Sequence, residues 1–146
     1  MTRGEARLHH AANLLVGASG LAYAWMLYLA EPEDPYAVAN HPLQPDVQHL
    51  HVVTAPLLVF AVGLVWRGHV WSRIASGFRT RRSTGIALAL LFVPMALSGY
   101  LLQVSADEAW RQRWVWLHVA TSLAWVAAYL VHQLSRRAGA RAPAAA

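Results

Sequence analysis

The chain has 146 residues, of which 57% are hydrophobic and only 13% charged, too little polar surface for a water-soluble domain of this size. Its 12 cationic residues are all arginine; it has 8 histidines and no cysteine, which excludes c-type haem attachment, a thiolate-held iron–sulfur cluster and a structural disulfide. A net charge of +5 could serve nucleic acid or anionic lipid, and the placement of the arginines decides for the membrane and against nucleic acid.

Four stretches lack Asp, Glu, Arg and Lys for about the 20 residues a bilayer-crossing helix needs: 8–30, 47–66, 83–106 and 114–135. The first opens on His9 and His10 and closes near Tyr28. It is long for the apolar region of a secretory signal, and Tyr28-Leu29-Ala30 is a poor cleavage site, so a retained span is expected. An acidic, Pro-rich connection follows, with Glu31, Glu33, Asp34, His41 and Asp46. The second span opens on His49 and His51 and ends at Trp66. The next connection is basic, with Arg67, Arg73, Arg79, Arg81, Arg82 and His69. The third span has no histidine but carries Gly85, Ser98, Gly99 and Tyr100. After Asp107, Glu108, Arg111 and Arg113, the fourth span carries His118 and His132. The Ala-rich stretch 138–146 reads as a disordered tail. No strand-like alternation and no internal repeat is visible. Trp66, Tyr100, Trp110, Trp114 and Trp116 stand near span ends, as interfacial anchors do. The expected fold is an all-α membrane protein, a four-transmembrane-helix bundle over 1–137. Ten of the twelve arginines flank the N-terminus, the second connection and the C-terminus, which places both termini in the cytoplasm by the positive-inside rule.

His118 and His132 are fourteen residues apart. In a helix that spacing rises about 21 Å and returns to within roughly 40° of the same face. The two imidazoles would therefore face one way from opposite edges of a bilayer, and ionisable residues at such positions ordinarily mark function. His49 and His51 fall at the depth of His118, and His9 and His10 at that of His132. Ligands in pairs at two depths suit bis-imidazole haem better than zinc or copper, whose sites gather three or four ligands in one place. The outer pair would be His51 or His49 with His118, and the inner pair His10 or His9 with His132. His51 and His10 are preferred because each lies deeper than its neighbour. His69 competes for the inner place, since it lies eighteen residues after His51, on the same helical face. Its position beyond Arg67 argues against it. Any one interfacial histidine alone is ordinarily solvated or hydrogen-bonded, and His41 in its Pro-rich loop is assigned there.

On these residues the chain resembles the bacterial di-haem cytochrome b family of four-helix membrane proteins, related to the cytochrome b subunits of formate dehydrogenase and nickel–iron hydrogenase. The resemblance covers roughly 7–135 and rests on His9-His10, on Gln48-His49-Leu50-His51 and on His118 with His132. It implies an outer haem b held by His51 and His118 and an inner one held by His10 and His132, with the four histidines as axial iron ligands. It also implies a quinone as substrate and a bacterial inner-membrane location. A periplasmic or membrane redox subunit would be the partner, because the chain has little room for a catalytic domain of its own. Adjacent histidines at two positions are a departure from the family pattern. Asn13, Ser98-Gly99-Tyr100, Gln103 and His69 are weak pointers to the quinone pocket. Arg7, Arg136 and Arg137, and Arg111 and Arg113 at the other level, are candidates for the haem propionates. The competing reading is a haem-free small transporter or assembly subunit that uses histidine for protons or metal.

Overall fold

Thr2 starts the first helix, α1 (Arg3–Tyr28), with a capping box. Its hydroxyl accepts from Glu5 N–H at 3.2 Å, and the Glu5 carboxylate accepts from Thr2 N–H at 2.7 Å. Asn40 fastens the following loop, donating to Leu27 O at 3.0 Å and receiving Gln44 Oε1 on its backbone N–H. Pro45 sits in the first turn of α2 (Gln44–Val65), where its missing N–H costs nothing. This computed structural model describes residues 1–32, 34, 36–77 and 81–140, the last five as backbone only. Glu33, Arg79, Arg141 and the rest of the tail lie outside the described residues, as do the side chains of Arg136 and Arg137.

The helix does not stop at Trp66, as the charge at Arg67 led the sequence reading to expect. It passes through a π-helical turn, Trp66–Trp71, into α3 (Ser72–Ala75), and Gln44–Ala75 makes one candidate span of 32 residues. The π turn carries an extra residue, so the five-turn phase that put His69 on the His51 face is broken. Arg81, in the left-handed region at φ 56°, precedes α4 (Arg82–Val104). The Asp107 carboxylate then accepts from Trp110 N–H at 2.9 Å at the start of α5 (Glu108–Ala140). This helix takes in the first three residues of the expected disordered tail.

Among the described residues all regular structure is helical, and four helices are long and apolar enough to cross a membrane. The chain divides after His69 into two units. The first is the antiparallel hairpin of α1 and α2, built on Ala12, Val16, Met26, Leu58, Ala61, Val62 and Val65. The second contains the hairpin of α4 and α5, where Phe92 meets the buried Trp125 at 5.8 Å between ring centroids. Few apolar side chains are buried and many are not, with Leu14 73% and Leu90 71% exposed. In water such surface would drive association, whereas lipid tails accept it.

Candidate metal centre

Three histidines meet the partner helix of their own hairpin in one local arrangement. In each case the partner helix supplies a hydroxyl residue followed by glycine, and the imidazole lies against that glycine. His51 lies on Gly20 after Ser19, His118 on Gly99 after Ser98, and His132 on Gly85 after Thr84. A Cβ at Gly20 would stand 2.8 Å from His51 Cε1, one at Gly99 3.0 Å from His118 Cε1, and one at Gly85 3.7 Å from His132 Cε1. Glycine is thus what lets the first two rings reach the neighbouring backbone. The hydroxyl before each glycine donates back along its own helix: Ser19 to Val16 O and Thr84 to Arg81 O, both at 3.1 Å, and Ser98 to Pro94 O at 2.6 Å with Met95 O at 3.1 Å.

Each histidine is also followed three residues later by a second hydroxyl, Thr54, Thr121 or Ser135. That hydroxyl donates to the carbonyl of the histidine and to the one before it. The resulting pattern, Ser/Thr-Gly on one helix against His-x-x-Ser/Thr on the next, occurs once in the first hairpin and twice in the second. The fourteen residues from His118 to His132 on α5 are matched by the fourteen from Gly85 to Gly99 on α4. The sequence shows no repeat by eye because the two halves of the pattern lie on different helices.

The hydrogen bonds fix the tautomers. His51 Nδ1 is 3.1 Å from Val16 O and 3.2 Å from Ser19 Oγ, and His118 Nδ1 is 3.0 Å from Met95 O. A carbonyl can only accept, so Nδ1 carries the proton in both rings. His132 Nδ1 is 2.9 Å from Thr84 Oγ1, a hydroxyl 3.1 Å from Arg81 O; when Thr84 gives its proton to that carbonyl, this Nδ1 donates as well. The neutral form of each ring then keeps its lone pair on Nε2, the nitrogen a metal takes. An Nδ1–H tied to the protein is the usual support of a metal-bound imidazole.

The remaining sequence candidates stand differently. His49 is exposed, as expected two residues from His51, where a helix turns through about 200°. His10 is exposed, and His9 is half-buried with its Nε2 3.2 Å from Asn13 Nδ2, an amide that can only donate. Asn13 therefore holds His9 in the Nδ1–H form and occupies the nitrogen a metal would need. His69 keeps a hydroxyl three residues on, Ser72, and lies in the π-helical turn, where a Cβ at the adjoining Gly68 would stand 3.9 Å from the N-terminal nitrogen of Met1. His41 Nδ1 accepts from Leu43 N–H at 3.1 Å, and its ring packs on Trp25. Among the described residues no three His, Cys, Asp or Glu side chains converge as a clustered metal site requires. Ligands taken singly from separate helices are the chemistry that axial haem ligation uses. The hydroxyls at Ser19, Thr84, Thr54 and Thr121 were not singled out by sequence reasoning, and Ser98 only as a weak pointer to a quinone pocket, although each stands at a fixed offset from its glycine or histidine.

No protein-family model, curated protein or solved structure matches the chain.

Proposed function

We propose that the chain is a di-haem b-type membrane cytochrome that carries electrons between a membrane quinone and a redox partner subunit. The observation that supports this best is the threefold recurrence of one arrangement. His51 and His118 give Nδ1–H to a carbonyl and His132 sets Nδ1 against a hydroxyl, which leaves each Nε2 for a metal, and His118 and His132 stand about 21 Å apart along α5. His51 and His118 would hold the outer haem. Each comes from a different hairpin and each gives its Nδ1–H to a main-chain carbonyl of the neighbouring helix. His132 takes one side of the inner site. Its counterpart is His10, with His9 and His69 as the alternatives; the engaged Nε2 of His9 favours His10.

Haem, if bound by these histidines, would supply a one-electron iron couple at each level. The protein's part is to hold rings and exclude water. Gly20 and Gly99 allow His51 and His118 to approach backbone, the carbonyls of Val16 and Met95 set their orientation, and the apolar helix faces keep the surroundings dry. Ligand donor strength and burial are then the means by which the protein sets potential. The bacterial inner membrane is the proposed location, with both termini cytoplasmic on the strength of the arginine distribution.

The test is the reduced-minus-oxidised visible spectrum of the purified protein, with a haem-to-protein ratio. Sharp low-spin b-type bands and a ratio near two are expected. No haem signal after expression with ample haem overturns the proposal and puts the haem-free transporter or assembly subunit in its place.

A further inference from the structure

The third copy of the arrangement differs from the other two in one respect. At His51 and His118 the carbonyl four residues before the glycine takes the Nδ1–H directly. The equivalent residue before Gly85 is Arg81, which stands ahead of the first turn of α4 in the left-handed conformation, φ 56°. Its carbonyl accepts the Thr84 hydroxyl at 3.1 Å, which leaves Thr84 Oγ1, 2.9 Å from His132 Nδ1, as an acceptor for that ring nitrogen. The Arg81 guanidinium returns to the other helix, donating from Nη1 to His132 O at 3.0 Å. Main chain, hydroxyl, imidazole and guanidinium thus form one closed circuit, in which Arg81 both opens and closes the path.

We infer that Arg81 and Thr84 act as a clamp that holds His132 in its Nδ1–H tautomer and gives the site at this level a different potential from the site at His51 and His118. The inference rests on the haem reading for its second half only. A hydroxyl accepts a hydrogen bond less strongly than a helix carbonyl does, so His132 has less imidazolate character and is the weaker donor to ferric iron. The Arg81 cation beside it acts in the same direction, since positive charge favours the reduced, less positive centre. Both terms raise the potential at the His132 level relative to the other. Thr84 is a positioning residue acting through His132.

Two measurements test the clamp, and the first needs no haem. In haem-free protein with 15N-labelled histidine, the ring nitrogens of His132 report a protonated Nδ1 in the native chain. Thr84→Val, close in shape but without an acceptor, shifts His132 toward the Nε2–H form, and Thr84→Ser restores the native pattern. An unchanged tautomer in Thr84→Val overturns the clamp whatever the haem content. In the haem-loaded protein, redox titration of Arg81→Gln, which removes the cation, lowers one midpoint and leaves the other in place. A tenfold change in the reduction equilibrium corresponds to 59 mV for a one-electron couple. Thr84→Ser, which keeps the acceptor, leaves both midpoints where they were. Midpoints that move together, or not at all, in Arg81→Gln overturn the assignment of separate potentials. Absence of haem from the native protein instead defeats the proposed function and leaves the tautomer result standing.

Discussion

Replacing Gly20 by alanine tests whether glycine is there for the histidine ring. The new Cβ would stand 2.8 Å from His51 Cε1 and 3.1 Å from Nδ1. Ordinary contact between such atoms begins near 3.4 Å, so the ring must retreat by about 0.6 Å or the two helices must part. A retreat of that size along the hydrogen bond stretches Nδ1 to Val16 O from 3.1 Å to about 3.7 Å, beyond useful range. Overpacking of this kind costs about 1–3 kcal/mol, which is roughly 5- to 150-fold in ligand affinity if it falls wholly on the bound state. The clash eases along the series, with 3.0 Å at Gly99 and 3.7 Å at Gly85, and nothing within 4 Å at Gly63. Haem titration into apoprotein, followed by visible absorption, should therefore show one site weakened in Gly20→Ala, less so in Gly99→Ala, and both sites intact in Gly85→Ala. Gly63→Ala is the control, and its helix propensity alone should add up to about 1 kcal/mol of thermal stability. If Gly85→Ala weakens binding as much as Gly20→Ala, or if Gly20→Ala binds like the native protein, the ring-on-glycine reasoning is wrong.

His118→Ala should remove one haem and leave the other, and His132→Ala should do the converse, both read from the haem-to-protein ratio. Retention of both haems in either variant refutes the assignment. The exposed His49 and the π-turn His69 should each be replaceable by alanine with both haems kept; loss of the inner haem in His69→Ala would promote His69 over His10. Asn40→Ala removes the bond to Leu27 O that fastens the connection between α1 and α2, and should cost about 1 kcal/mol in thermal unfolding with the spectrum unchanged. Glu108→Ala breaks an exposed pair with Arg111 at 3.0 Å and should change stability by under about 1 kcal/mol.

The four long apolar helices were legible because charge-free length is a one-dimensional signal, and His118 with His132 because both lie on a single helix. The run-on of α2 through Arg67 was not legible, since a charge is a poor helix terminator and nothing local announces a π turn. The sequence separates His51 from His49 on depth alone; the hairpin adds an angular difference, with His51 reaching Val16 O on α1 and His49 exposed. The difference between His9 and His10 turned on Asn13, whose amide reaches back one turn to His9, a contact seen only once the side chains are placed. The recurrent hydroxyls were hidden because each half of the pattern is too short to stand out. Ser-Gly recurs at Ser76-Gly77 in a plain turn with Gly77 at φ 66°, and only pairing across a hairpin separates the meaningful copies from that one.

On the proposed di-haem reading, that pairing would also explain why an inner site needs an irregular ligand. The two hairpins share Val16 to Gly20 against Leu50 to Thr54, and Met95 to Gly99 against Leu117 to Thr121, with the same offsets and the same bonds. Moving fourteen residues further from each hairpin turn should reach a second copy. In the second hairpin it does, at Gly85 and His132. In the first, the same step arrives at Ala6 and at Val65, which is buried and only 4% exposed. Neither can ligate a metal, so the first hairpin offers one patterned histidine where the second offers two. A pair at the His132 level must then draw its fourth imidazole from outside the pattern. His9 and His10 lie within one helical turn of Ala6 on the same helix, and one of them supplying the ligand without the glycine and carbonyl support of the other three makes the inner site the less symmetric of the two. The same asymmetry appears on its opposite side, where the Arg81–Thr84 circuit replaces the direct carbonyl bond. Two centres built from the same recurrent parts would have equal potentials. The departures from the repeat are concentrated at one level, and that is where a potential difference along the membrane normal would have to be made.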